Sequence, residues 1–261
     1  MTTSFLLVQL TDTHIGGTWG FGDPVAGLAA AIEAVLRLNR EPDAVLITGD
    51  LANSGEDADY DVLRELLAPL TAPIYVVAGN HDDRAALRRH FDVPGGDQPG
   101  GAQAPIQYAV DLGPLRLLVL DTTKPGQDAG ELGADRLGWL DAALADEPEL
   151  PTLVAMHHPP LSVGIAQWDA IGLSAGDRGA LADVIARHPQ VRRLVAGHVH
   201  RAIASDLGGR AVLAVPSTYV QAKLDLGSNE IALVDEPPGF AVHMLVDGEL
   251  ISHIQPVASL T

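Results

Sequence analysis

The chain has 261 residues, 47% of them hydrophobic and only 19% charged, which is enough apolar material for a full core and argues against disorder. Its 34 acidic against 16 basic residues give a formal net charge of -18, a surface that repels extended nucleic acid and anionic membranes. Absence of cysteine removes disulfides and thiolate metal sites, and no amino-terminal leader or spanning run is visible, so the expectation is a cytoplasmic protein away from membranes.

In chain order, the apolar run Phe5–Leu10 predicts a buried strand, followed by an amphipathic helix over Ala26–Asn39. The same alternation continues with strands at Ala44–Ile47 and Ile74–Val77 and helices at Asp59–Leu67 and Arg84–Phe91. Val93–Pro105, rich in Gly-Gly and Pro-Gly, predicts a loop. Strands follow at Leu115–Leu120, Leu153–Met156 and Leu194–Ala196, with helices at Ala134–Ala145 and Arg178–His188. Such alternation predicts helices packed on both faces of an at least partly parallel sheet. The tail differs: Ala211–Val215, Ile231–Val234, Ala241–Val246 and Leu250–Ile254 read as successive strands, with a turn at Asp247-Gly248, and predict an antiparallel portion.

Five polar clusters each stand just after an apolar strand: Asp12-Thr13-His14, Gly49-Asp50, Gly79-Asn80-His81-Asp82, His157-His158-Pro159 and Gly197-His198-Val199-His200. Ligands bind beyond the carboxyl ends of strands in open α/β sheets, so five strands would bring these side chains to one rim. Imidazole and carboxylate suit Zn, Mn and Fe. Asp12 and His14 are two apart, as are His198 and His200, so on an extended segment each pair points to one side. Glycines 49, 79 and 197 would let the backbone turn and come close to the site. A single Asp-x-His or Gly-Asp means little, since caps and turns use the same residues; the five in series carry the argument.

That series, D-x-H, GD, GNHD, HHPP and GHxH, resembles the calcineurin-like metallophosphoesterase superfamily from Leu10 to about Tyr219. Gly79–Asp83, Leu120–Thr123 and His157–Pro160 are similar to its bacterial branch of cyclic-nucleotide and glycerophosphodiester phosphodiesterases. The resemblance implies a four-layer α/β/β/α sandwich with two mixed sheets, expected as a single domain over 1–261; the apolar, mainly β tail at 217–261 is expected from its own residues to complete the second sheet. The resemblance also implies two divalent or mixed-valence transition metal ions (Mn, Fe, Zn or Co), one held by Asp12, His14 and His200 and the other by Asn80, His157 and His198. Asp50 would bridge them. His157 is chosen over His158 because the family's ligand stands two residues before the proline. The implied reaction is metal-dependent phosphodiester hydrolysis, a metal-bridging hydroxide attacking phosphorus of a cyclic nucleotide or small glycerophosphodiester. Two divalent ions, two carboxylates and that hydroxide leave about one positive charge, suited to a diester's single negative charge. His81 is implied to assist the leaving oxygen, the alternative being a hydrogen bond that only orients a ligand.

Asn53, Trp19, Phe21 and Trp168 are weaker candidates for substrate contacts. His90, His188, His243 and His253 read as ordinary surface or packed histidines. Two rival functions stay open: a nuclease or protein or monoester phosphatase on the same site, and a non-catalytic interaction module of the same fold. Apolar side chains of the tail also predict a homo-oligomer, a dimer being the commonest closed form.

Overall fold

The computed structural model describes residues 4–94, 100–227 and 230–257. The centre of the loop predicted over Val93–Pro105 and the last four residues of the tail lie outside them.

Among the described residues, thirteen strands build two large mixed sheets and a ribbon. The first sheet joins β1 (Ser4–Leu10), β2 (Ala44–Ile47) and β3 (Ile74–Val76) in parallel, with β12 (Gly239–Val246) antiparallel to β1 and β13 (Glu249–Pro256) at the edge. In the second, β5 (Arg116–Val119), β6 (Thr152–Ala155), β7 (Val191–Ala196) and β9 (Arg210–Ala214) run parallel. The edge strands β4 (Tyr108–Asp111) and β8 (Ile203–Leu207) run antiparallel to them. β10 (Gln221–Ala222) and β11 (Leu233–Val234) form a separate ribbon.

Helices α1 (Pro24–Leu36), α2 (Asp57–Leu67) and α3 (Arg84–His90) belong to the connections of the first sheet; α4 (Gly133–Asp146), α5 (Ala166–Ala170) and α6 (Ala175–Ala186) belong to those of the second. Strand alternation sorts the layers. Leu117, Val119, Leu153 and Ala155 join one core cluster with β1–β3, α1 and α2, whereas their neighbours Leu118, Leu120, Val154 and Met156 join another with Leu140 and Leu144 of α4 and Leu181 and Ile185 of α6. Each large sheet is thus covered by helices on one face and by the other sheet on the opposite face. The fold is the expected four-layer α/β/β/α sandwich with two mixed sheets. Among the described residues no helix is long and apolar enough to cross a membrane.

The tail is placed differently from expectation. The β12–β13 hairpin, turning at Asp247-Gly248, adds to β1 in the first sheet, so residues 217–261 do not complete the second. β1 offers an open edge there, and the nearly continuous apolar face of β12 covers it. The strand expected at Ile231–Val234 shrinks to the two residues of β11.

A buried polar chain crosses the apolar interior between the sheets. His243 Nε2–H donates to Gln9 Oε1 at 3.0 Å, and Gln9 Nε2 donates to Thr48 Oγ1 at 2.8 Å. Burial, with Arg193 nearby, pushes His243 down to about 3.

Candidate metal centre

All five clusters stand past the carboxyl ends of parallel strands. β1, β2 and β3 lead to Asp12 and His14, to Asp50, and to Asn80 and His81, while β6 and β7 lead to His157 and to His198 and His200. The rim is therefore shared by both sheets.

The backbone there is not extended. Asp12, His14, Asp50, His198 and His200 all have positive φ, from 43° to 69°. The paired side chains share a side because each occupies the left-handed region, which corrects the expectation of a strand-like alternation. This conformation costs on the order of 1–3 kcal/mol per residue and persists only where surroundings impose it. The glycines are required by space. A Cβ on Gly79 would lie 2.1 Å from the Asp50 backbone nitrogen, and one on Gly197 would lie 2.0 Å from Thr11 Oγ1.

The candidate ligands fall into two groups around Asp50. In one, His14 Nε2 and His200 Nε2 are 3.1 Å apart, His200 Nε2 is 3.5 Å from Asp12 Oδ1, and His14 Nε2 is 3.5 Å from Asp50 Oδ2. In the other, Asn80 Oδ1 lies 3.1 Å from both His157 Nε2 and His198 Nδ1, and His157 Nε2 lies 3.3 Å from Asp50 Oδ2. Ligands about 2.1 Å from one ion would be roughly 3.0–3.4 Å from each other, so both groups have the spacing of a coordination shell.

Outer contacts aim these atoms. His157 Nδ1–H donates to Thr48 O and His200 Nδ1–H to Val220 O, both at 2.8 Å, which leaves each Nε2 lone pair facing inward. Asp12 Oδ2 accepts from Thr11 Oγ1 at 2.8 Å, and both its oxygens accept from the His198 amide. His14 Nδ1 and His198 Nε2 are buried without a partner.

The electrostatics favour a cation. Burial opposes charge on Asp50, but His157 and His14 outweigh it and hold the carboxyl well below its usual range. Burial likewise opposes charge on His157, yet the Asp50 carboxylate overrides it and pushes this histidine up to about 9. His14 and His198 are driven well below the ordinary value, first by burial, and so stay neutral with lone pairs available. Burial raises Asp12. The donor set and its geometry fit two metal ions.

His158 does not join them, although its ring comes within 4.8 Å of nitrogens of His157 and His198. Its Nδ1 accepts from Thr122 Oγ1 at 2.8 Å and its Nε2–H donates to Asp128 O at 2.9 Å, so no ring nitrogen is left over. Burial and His157 push it down to about 3. It pins the loop after β5.

A cavity of about 310 Å³ opens over the centre. His14, Asp50, Asn80, His81, His198 and His200 form its polar end, and Trp19, Trp168, Ile171, Ile231 and Leu233 its apolar walls. Trp19 packs on His14 at 4.3 Å between ring centroids, and its backbone N–H donates to Tyr219 Oη at 3.2 Å. Of the weak candidates, Trp19 and Trp168 line the cavity; Phe21 is 37% exposed and outside it. Asn53 is absent from the lining too, but its backbone carbonyl accepts from His81 Nδ1–H at 2.7 Å, leaving His81 Nε2 for a ligand.

Asp82 has a part that its place in the GNHD run does not reveal. Half-buried, and pushed up to about 6 by desolvation and Asp50, it accepts from the amides of Leu51, Ala52 and Gly79 and from Tyr60 Oη. It thereby ties the loop of Asp50 to the loop of Asn80. Ile171, Ile231 and Leu233 carry no motif and were legible only as apolar residues.

Residues 5–202 match the family model described as calcineurin-like phosphoesterase. A glycerophosphodiester phosphodiesterase of Enterobacter lignolyticus is 32% identical over 257 residues, covering 97% of this chain and 91% of the relative. A 3',5'-cyclic adenosine monophosphate phosphodiesterase of Pseudomonas aeruginosa is 35% identical over 259 residues, covering 97% and 90%. The fold also matches a purple acid phosphatase from yellow lupin seeds with a TM-score of 0.73 at 15% identity, over all of this chain and 53% of that one.

Proposed function

The chain belongs to the calcineurin-like phosphoesterase family of metal-dependent hydrolases, and from that premise we propose that it hydrolyses small phosphodiesters at a dinuclear centre, as a single cytoplasmic domain. The observation that carries the reading is the pair of donor groups sharing Asp50, in a cavity whose other lining residues are apolar except His81 and Asp128. Asp12, His14 and His200 would hold one ion, Asn80, His157 and His198 the other, and Asp50 both. Bound there, the ions supply Lewis-acid polarisation of a phosphoryl group and an acidified water.

The rest falls to the chain. Thr48 O and Val220 O keep His157 and His200 in the tautomer that presents Nε2. Asn53 O holds His81 by Nδ1–H, so that His81, when protonated, presents Nε2–H to the leaving oxygen. Among the described residues no lysine or arginine lines the cavity, while Asp128 does, which favours a monoanionic diester over a dianionic monoester. Trp19 and Trp168 offer flat apolar surface to a large ester group such as a nucleobase. Two enzymes with extensive similarity are named for a glycerophosphodiester and for cyclic AMP, which supports a small diester of either class as substrate here. The net charge of -18 disfavours extended nucleic acid.

The test is a substrate panel after reconstitution with Mn, Fe, Zn or Co: cyclic AMP, glycerophosphoethanolamine, bis(p-nitrophenyl) phosphate and the monoester p-nitrophenyl phosphate. Diesters should lead, and Asp50→Ala should lose metal at both positions. A monoester preferred tenfold, or two metals still bound in active Asp50→Ala, would refute the assignment. Leu224, Leu226 and Ile231 are exposed, which supports association into a homodimer. Light scattering checks that: a monomer mass at micromolar concentration ends the dimer reading.

A further inference from the structure

We infer that a polar recess on the other side of Asn80 and His81 is a second substrate subsite, taking the remaining ester arm of a linear phosphodiester when that arm is a short polyol. The inference rests on the phosphodiesterase reading above and adds to it the place where a second ester arm would sit.

The recess holds about 180 Å³ and is lined by Ser54, Asn80, His81, Asp83, Gln103 and Lys124, among others. Asn80 and His81 also line the main cavity, so a phosphoryl group resting against both would have a chamber on either side. A phosphodiester carries two ester arms, and the two chambers differ in chemistry. Among the described residues, the cavity is walled by two tryptophans, two isoleucines and a leucine, with no lysine or arginine. The recess has none of those apolar residues and is lined by Lys124 and Arg84 beside Asp82 and Asp83.

The wall between them is the loop after β5, with Asp128 on the cavity side and Lys124 and Gly126 on the recess side. That wall is fixed. His158 Nε2–H holds Asp128 O at 2.9 Å, Lys124 pairs with Gln127 across a bridge, and the Glu131 amide donates to Thr122 O at 2.9 Å.

The recess side chains retain capacity for hydroxyl groups, each of which both donates and accepts. Gln103 Nε2 donates to Asp83 Oδ2 at 2.9 Å, which leaves its amide oxygen as an acceptor. Ser54 Oγ donates to Asp59 at 3.2 Å and can still accept. Lys124 Nζ is 3.7 Å from Glu131, both side chains being nearly half exposed, and so weak a pair frees the ammonium to turn toward a ligand. At about 180 Å³ against about 310 Å³ for the main cavity, the recess suits the smaller ester arm, such as a three-carbon polyol. A cyclic diester has both ester oxygens on one sugar and needs only one chamber.

Gln103→Trp fills the recess from an exposed position, and Lys124→Ala removes the more mobile of its two cations, Arg84 being held by Asp121. With metal-reconstituted protein, the kcat/KM ratio for glycerophosphoethanolamine over cyclic AMP should fall at least tenfold in Gln103→Trp, chiefly through KM, and several-fold in Lys124→Ala. An unchanged ratio overturns the inference. A second measurement does not depend on turnover: calorimetric binding of glycerol 3-phosphate against inorganic phosphate. Glycerol should add at least tenfold affinity in the parent and little in Gln103→Trp. If it adds nothing in the parent, the subsite is refuted whatever the protein hydrolyses; if it adds affinity while no diester is cleaved, the phosphodiesterase reading fails instead.

Discussion

Removing the Asp82 carboxylate should open the metal centre without touching a proposed ligand. Its two oxygens accept from Gly79 N at 2.9 Å, Leu51 N at 3.1 Å, Ala52 N at 3.2 Å and Tyr60 Oη at 2.9 Å. In Asp82→Ala three buried amides and a phenol lose their acceptor. Each orphaned donor costs about 1–3 kcal/mol, and water entering the space recovers part, so we expect a loss of about 4–6 kcal/mol. That is a large share of the roughly 5–15 kcal/mol that stabilises a domain. Asp82→Asn separates two contributions. Its single oxygen can keep Ala52 and Tyr60, but its NH₂ then faces the Gly79 N–H, orphaning one amide. Against this stands relief from burying a charge, since desolvation and Asp50 push the carboxyl up to about 6. About two pKa units correspond to roughly 3 kcal/mol of strain removed. The two nearly cancel, so Asp82→Asn should lie within about 1–2 kcal/mol of the parent and Asp82→Ala far below it. Urea unfolding of the metal-free proteins measures both, and a zinc titration should show weaker binding in Asp82→Ala as the Asp50 and Asn80 loops separate. If Asp82→Ala came within 1 kcal/mol of the parent and bound zinc as well, the loop-tying role would be wrong.

His157→Ala should cut metal affinity at least about a hundredfold, whereas His158→Ala should keep its metals and lose about 2–3 kcal/mol of stability, as metal analysis and melting would show; the reverse order would refute the choice between them. His81→Ala should slow alkoxide-leaving diesters about 10²–10⁴-fold and nitrophenolate-leaving ones far less, an equal loss arguing for an orienting role instead. His243 gives the pH signature. Its folded pKa of about 3 lies below the unfolded 6.5, so between these values only the unfolded state takes the proton and stability falls as pH falls. From pH 6.5 to 5 the loss from this group is about 2 kcal/mol, and His243→Gln should flatten that slope in denaturant melts.

Much of this architecture can be read from residues alone, with gaps that have causes. Ala44–Ile47 has its observed bounds in the sequence because an uninterrupted apolar run between polar residues matches a strand buried on both faces. Tyr108–Asp111 and Ile203–Leu207 were missed because edge strands are half exposed and lack a periodic signal; their neighbours supply the pairing. Apolar residues in β12 announce burial but not the partner, so joining β1 was not legible. Ligand types and order were plain in the motifs, while the left-handed backbone that aims them was not: Asp and His do not advertise it as glycine does. The apolar cavity wall comes from three separate segments, and no local pattern links Trp19, Ile171 and Leu233.

The position of β1 has a consequence for the chain during its synthesis. This first strand lies between β2, made soon after it, and β12, whose register runs Ser4 to Val246 through Gln9 to Ala241. At roughly 5–20 residues per second, about 10–45 s separate emergence of the strand from emergence of its second partner. For that interval one edge of an apolar strand presents unpaired amides and carbonyls, the template on which neighbouring nascent chains pair. Ribosome-associated holding factors should therefore matter most between the making of residues 10 and 246, and moving β12 ahead of β1 by circular permutation should shorten that dependence.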